Sequence, residues 1–499
     1  MKKRIFFLLE FLFLIICTFA QAPDTLWARM YGGPGKDECN SIQITDDGGY
    51  IMAGITEESQ GSGIYDFYIV KTDSLGDSLW TRTYGGSLND KCYSIQRSVG
   101  GSFIAAGYTE SFGACGLDIY LVKIDSNGDT LWTRTYGGPG DEVCYSMLTL
   151  EDSTCVLAGY TDSFGAGEDD MYLLKVNSWG DLLWQQTFGD SLDDRCYSID
   201  KTEDGGYILG GSSGVYGNWD PTDVYLVKTD SYGNLEWPWI IDIGLHDCCN
   251  SIQVFDEGEY ILGGYTNVPY YDGMEMFLMK IDTWVCLDWV QIYDSGSMSY
   301  DEGKSVLQTS DSGYILGGFS EIGCCRTSHH SKIIKTNSLG YSEWEYMSEG
   351  GIQGTRQVCN SILQTDDGGF VFGGWIENNT WTNFDMYLVK LAPEGITNVE
   401  EELSNFSHDF GLLNAFPNPF NPSTIINYSL KEDSKVTLNI YNIKGQKVKQ
   451  LVRDQLSAGQ HSIIWNGKDD SGKHVSSGIY FYKLKTDNFE KTKKMILMK

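Results

Sequence analysis

Two rows of carboxylates recur along the chain at a spacing that suits cation binding. One row stands four residues before a repeated serine: Asp37, Asp90, Glu142, Asp194, Asp247 and Asp301, with Gln357 breaking the series. The other precedes a run that closes on lysine: Asp66, Asp118, Asp170, Asp223, Glu275 and Asp385. A ring of hard oxygen donors suits calcium or a basic partner. The same short side chains also accept backbone N–H bonds in turns. Recurrence in nearly every unit favours that second role, because a reacting site breaks a repeat. Asp125-Ser126-Asn127-Gly128-Asp129 begins like a calcium loop, but Thr130 stands where the turn glycine belongs, so it reads as a hairpin.

Six cysteines share one repeat position (Cys39, Cys92, Cys144, Cys196, Cys249, Cys359), with Gly303 in the sixth copy, and read as small core residues. Cys115, Cys155, Cys248, Cys286 and the pair Cys324-Cys325 fall outside that pattern, and in an exported protein the loops holding Cys115 and Cys324-Cys325 are candidates for stapling. His246, His329 and His330 are expected on one loop-rich face. The pair His329-His330 is a weak metal-binding candidate, read first as solvent-exposed. There is no H-E-x-x-H, C-x-x-C or phosphate loop.

These residues are positioned by an internal repeat. Trp27, Trp80, Trp132, Trp184, Trp237, Trp289 and Trp344 recur every 52 to 55 residues; so do Lys71 through Lys390 and Ser41 through Ser361. One unit, from Trp80, holds four runs rich in Tyr, Ile, Val and Thr, bounded by glycine or Asp-Gly, which predicts four strands. Four-stranded units of about 50 residues in this number are β-propeller blades. The array opens on a lone Trp strand and closes on a lone lysine strand, so the N-terminal strand must complete the last blade. We expect an all-β, seven-bladed propeller over residues 23–395. The D-G-G-Y-I and Y-L-V-K-x-D-x-x-G-D-x-x-W runs resemble repeats of secreted bacterial propellers, distantly similar to quinoprotein-like and kelch-like families. That resemblance implies fold and not activity.

The ends carry export signals. Met-Lys-Lys-Arg followed by an apolar run to Ala20 reads as a signal peptide over residues 1–22, too short to span a membrane. The lipobox-like stretch ending at Cys17 has a bulky Ile16 where a small residue belongs. Residues 396–411 read as an acidic linker and 412–499 as a small antiparallel immunoglobulin-like sandwich. In that segment Pro417-Asn418-Pro419, Tyr441-Asn442-Ile443-Lys444-Gly445, Ser477-Gly478-Ile479-Tyr480 and Lys493-Lys494-Met495 occur together. They resemble the type A sorting domain of the type IX secretion system, itself similar to a hook-capping module. The resemblance implies recognition by outer-membrane secretion machinery, with Pro417, Asn418, Pro419, Gly478 and Tyr480 as motif residues. Pro-Asn-Pro-Phe-Asn-Pro is a variant of that motif.

Net charge is −32, which argues against nucleic acid or an anionic membrane as partner. The C-terminal segment carries 14 Lys/Arg against 7 Asp/Glu, so the acidity is concentrated in the propeller. The sequence therefore reads as a secreted or surface-attached binding or display protein. It has no transmembrane segment after processing, and a glycan or cell-surface polymer and calcium are its candidate ligands. The alternatives are an extracellular enzyme acting on polysaccharide and, after that, a quinoprotein-like dehydrogenase. Loss of repeat identity points to the sixth blade, with Gly303, Cys324-Cys325 and His329-His330.

Overall fold

The computed structural model describes residues 22–57, 65–214, 222–255, 258–267, 273–283, 285–293, 299–321, 329–348, 356–377, 383–394, 411–412, 424–457, 459–486 and 489–497. All but the last residue of the expected signal peptide, most of the expected linker, Cys324-Cys325 and Pro417-Asn418-Pro419 lie outside them.

Seven antiparallel sheets of four strands follow one another along the propeller. Their first strands are Asp37–Ile44, Asp90–Arg97, Glu142–Thr149, Asp193–Lys201, Asp247–Phe255, Tyr300–Gln308 and Gln357–Gln364. The seventh sheet takes its outer strand from the other end of the repeat: Thr25–Tyr31 pairs beside Phe384–Leu391. The chain thus closes on itself and leaves no open sheet edge at the seam.

Each repeated residue type has a mechanical role at a blade boundary. The serine of one blade accepts an N–H from the next blade's first strand, as Ile95 N donates to Ser41 Oγ (3.2 Å) and Ile252 N to Ser198 Oγ (3.1 Å). Ile42 N donates to Ser361 Oγ (3.3 Å), so the same bond joins the seventh blade to the first. Trp27, Trp80, Trp132, Trp184 and Trp289 of the outer strands lie against the hairpin of the following blade, with Trp80 Nε1 donating to Ser126 O (3.1 Å). Tyrosines at the end of that strand reach the same hairpin, Tyr84 donating to Gly128 O (2.6 Å) and Tyr136 to Gly180 O (2.6 Å). The lysines are buried beneath the first hairpin, where Lys335 Nζ holds Asp311 (2.8 Å) and Glu343 (2.9 Å). Asp125 accepts the N–H groups of Asn127 (2.8 Å) and Asp129 (2.9 Å), closing the expected hairpin.

That hairpin needs a left-handed residue, supplied by Gly76, Gly128, Gly180, Gly233 and Gly340 at φ of 77 to 84°. In the fifth blade Val285 takes the place at φ 61°. A β-branched side chain there is strained. Val285→Gly is expected to stabilise the protein by about 1 kcal/mol, the relief of roughly 1–3 kcal/mol of strain less the entropy glycine loses on folding. A thermal melt checks this; a lower melting temperature would mean that the contact of Val285 with the fifth-blade core outweighs the strain.

The C-terminal domain is two sheets. One joins Gly411–Leu412, Thr424–Leu430 and Gly459–Trp465; the other orders Lys447–Leu456, Ser434–Asn442, Gly478–Lys485 and Glu490–Leu497. Alternate inward residues make its core, including Leu438, Ile440, Tyr482, Leu484 and the fully buried Trp465. No helix among the described residues is long and apolar enough to cross a membrane.

Candidate functional site

In blades one to six the first strand carries a register shift at one point, between Cys39 and Ser41, Cys92 and Ser94, Cys144 and Ser146, Cys196 and Ser198, Cys249 and Ser251, and Gly303 and Ser305. A bulge leaves one residue without a cross-strand partner and re-aims its side chain. Here that residue turns toward the axis. Asn40, Tyr93, Tyr145, Tyr197, Asn250 and Lys304, joined by Asn360 of the seventh blade, line a central cavity of about 370 Å³ with Cys248, Tyr265 and Glu302.

The lining has two chemically different halves. On blades two to four the rings of Tyr93 and Tyr145 lie 4.9 Å apart and those of Tyr145 and Tyr197 5.1 Å apart, both tilted. Tyr108 and Tyr160 extend this aromatic wall, and the Arg195 guanidinium stands 4.7 Å over the Tyr160 ring, held by Asp169. The other half is amide. Asn40 Nδ2 donates to Cys92 O, Asn250 Nδ2 to Gly303 O and Asn360 Nδ2 to Cys39 O, each at 2.8 Å. Each asparagine bridges to the next blade, which fixes the ring's diameter on that side. The two charges of the wall, Lys304 and Glu302, form an ion pair.

The groups here are tuned away from nucleophilic chemistry. Burial, with the neighbouring Glu302, pushes the Cys248 thiol up to about 12. The six repeated cysteines are likewise buried and shifted up by burial, in keeping with core packing.

The carboxylates singled out in the sequence are turned inward. Asp37 accepts Gly33 N (2.7 Å), Asp90 accepts Gly86 N (2.7 Å) and Ser111 Oγ (2.8 Å), and Glu142 accepts Gly138 N (2.7 Å) and Thr161 Oγ1 (2.6 Å). Asp194 takes Asp190 N (2.9 Å), and Asp247 takes Ile243 N (2.6 Å) and Thr266 Oγ1 (2.5 Å). Asp301 takes Ser320 Oγ (2.6 Å) and the Lys332 ammonium (3.0 Å). All six are at most 1% exposed. They fasten the loop entering each blade and present no open acidic ring.

His329 and His330 sit side by side in the strand His329–Thr336, and their side chains have separate surroundings. His329 stacks on Phe319 (5.2 Å), and burial, then Arg356, lowers its imidazole to about 4, so it is neutral at pH 7. His330 Nδ1 lies 3.0 Å from Ser348 O. His246 accompanies neither. Cys115 and Cys286 are exposed free thiols. The sixth blade does reach the cavity, through Glu302 and Lys304 on either side of Gly303.

The ring of six bulge residues and Asn360 escaped the sequence reading, although its signal was present. It is the position between the repeating cysteine and serine, where the residue type changes from Asn to Tyr to Lys while its neighbours hold.

In the C-terminal domain the two motif runs are neighbours. Asn442 pairs with Tyr480 across adjacent strands, and Asn442, Ile443, Lys444, Ser477, Gly478 and Ile479 line one cavity of about 780 Å³. Gly478 has φ 149°, and Tyr480 donates to Ser476 O (2.6 Å) while its ring meets Trp465 edge-on at 5.1 Å. Both motif residues therefore shape the turn between Ser476 and the core. Ile443 and Ile479 stand exposed.

Residues 421–489 match the FlgD Ig-like domain family. No curated protein matches the chain in sequence. Solved structures similar to it include PorZ, an essential bacterial surface component of the type-IX secretion system of Porphyromonas gingivalis, at 11% identity and TM-score 0.42, covering 94% of this chain. This chain spans 60% of the PorZ chain. Puromycin hydrolase is similar at 10% identity and TM-score 0.43, covering 83% of this chain and 62% of that one. The β-propeller domain of the Trilobed protease from Pyrococcus furiosus, which has an open velcro topology, is similar at 10% identity and TM-score 0.38, covering 73% and 95%. The architecture of this chain rests on its own strand pairing, and these likenesses carry nothing about activity.

Proposed function

We propose that this chain is an exported, non-enzymatic binding protein whose propeller channel holds the end of a neutral glycan. The observation that carries the reading is the ring of bulge residues, which sets an aromatic wall opposite an amide wall around one cavity. A pyranose has an apolar C–H face that packs on tyrosine rings and hydroxyls that exchange hydrogen bonds with amides and phenols. The lining bears no net charge, since Lys304 and Glu302 neutralise each other. An anionic polymer is disfavoured further by the −32 charge of the whole chain.

Glycoside hydrolysis uses two carboxyl groups about 5–10 Å apart across the substrate. Among the described lining residues Glu302 is the one acid, and it is tied to Lys304. That favours retention over turnover. The C-terminal domain is then the export element, its motif cavity with exposed Ile443 and Ile479 serving as the face read by outer-membrane secretion machinery. The basic start and apolar run of residues 1–22 fit delivery through the inner membrane first, and the destination is secreted or surface-attached.

The experiment is a panel of neutral and acidic glycans offered to the purified protein, scoring retention and released products separately. Retention of neutral glycans without products is expected. Product release would replace binding with catalysis, and retention of acidic polymers alone would move the ligand site out of the channel.

A further inference from the structure

Consecutive blades meet at buried acids that the channel does not use. At the boundary of the third and fourth blades Asp170 Oδ2 accepts Ala166 N (2.8 Å) and Gly167 N (3.0 Å), and Asp194 Oδ2 accepts Asp190 N (2.9 Å). Asp170 is 1% exposed, and its Oδ1 has no hydrogen-bond partner. That oxygen faces Gly189, where a Cβ would collide with both Asp170 Oδ1 and Asp194 Oδ2. The missing side chain is what lets the two carboxylates of different blades approach one point.

One boundary further on, the position of Gly189 is Asp242. Its exposed carboxylate joins the half-buried Asp223 and the buried Asp247, and oxygens of all three lie within 4.8 Å of one another. Burial, with the charges of Asp242 and Asp247, shifts the Asp223 carboxyl upward, the mark of acids gathered without a counter-charge. Among the described residues no lysine, arginine or histidine pairs with any of these five acids.

Two other boundaries show what the arrangement lacks. In the sixth blade a lysine, Lys332, replaces the aromatic residue that other blades carry at that register (Tyr172, Tyr225), and its ammonium sits 3.0 Å from Asp301, both residues being buried. There the fold supplies a tethered cation. Between the sixth and seventh blades the two acid positions are His330 and Gln357, so both acids are lost together. Acids that come and go as pairs, and take a cation where one is built in, belong to a common site.

We propose that the boundary acids Asp170 with Asp194, and Asp223 with Asp242 and Asp247, each hold a calcium ion between blades. Calcium takes six to eight oxygen ligands at about 2.3–2.6 Å, in irregular geometry, and accepts carboxylates, backbone carbonyls and water together. Such an ion would add a link between two blades to the serine bond that already crosses the boundary, as Ile199 N to Ser146 Oγ (3.4 Å) and Ile252 N to Ser198 Oγ (3.1 Å). The assignment is independent of the channel reading.

The test uses the purified full-length protein, stripped with EDTA and dialysed. Calorimetric titration with calcium chloride is run on the wild type, Asp170→Asn and Asp242→Gly, the latter restoring the glycine found at position 189. Expected are a calcium-dependent rise in melting temperature, loss of one bound equivalent in Asp170→Asn, and roughly tenfold weaker binding of another in Asp242→Gly, since ligand charge sets affinity. Terbium luminescence sensitised by the neighbouring tyrosines should fall in the same variants. No calcium response, or an unchanged count in both folded variants, overturns the assignment and leaves protonated acids at the boundaries. Thermal melts of the stripped variants establish that they fold.

Discussion

Replacing Tyr145 by asparagine is expected to weaken glycan retention by about 2 kcal/mol, roughly 30-fold, with little change in melting temperature. Tyr145 is the middle ring of the aromatic wall, touching Tyr93, Tyr197 and Tyr160. Its removal therefore opens the wall at its centre. The substitution is gentle for the fold, because asparagine is the residue that the same bulge carries at Asn40, Asn250 and Asn360. There it bridges to the next blade through its amide. Titration of the best-retained glycan against both proteins measures the effect, with melting curves alongside. Equal affinity in the two proteins would remove the tyrosine wall from the binding site.

The second large effect concerns stability. Lys332→Met is expected to cost about 3–5 kcal/mol, the usual consequence of stranding one member of a buried ion pair. Lys332 is 2% exposed and Asp301 fully buried, so the carboxylate would keep the Ser320 hydroxyl and lose its ammonium. The double variant Lys332→Met with Asp301→Asn should regain most of the loss, because neither charge is then buried alone. Urea unfolding of the wild type, Lys332→Met, Asp301→Asn and the double variant decides it. A single variant within about 1 kcal/mol of the wild type would show that water reaches Asp301 and screens it.

The architecture was legible because the repeated residues are those that hold blades together. Tryptophan recurs since its ring packs on the next hairpin, lysine since its buried ammonium ties down the acid of the first hairpin, and serine since its hydroxyl accepts an N–H across the boundary. Such contacts are the same in every copy and so stand out as periodicity. The channel was hidden for the opposite reason. Its residues differ between copies, and what unites them is a bulge, which depends on cross-strand register that periodicity does not report. The boundary acids were visible as two separate rows. That Asp170 meets Asp194, a partner in the following blade, depends on how two sheets twist past each other. Reading the first row as a displayed ring missed this inward turn, while its alternative reading, as acceptors of backbone N–H, describes most of the bonds found.

The strand Thr25–Tyr31 belongs to the last blade although it precedes the first. The bond from Ile42 to Ser361 joins residues 319 apart in the chain, and closing so long a loop has an entropic cost that only the finished circle returns. High contact order of this kind slows folding. A chain emerging from its amino end must carry an unpaired strand until the final blade exists. Its native state is out of reach of any shorter nascent piece. On the proposed export route that delay would keep the chain threadable while it crosses an envelope, and the clasp that seals the circle would act as its timer.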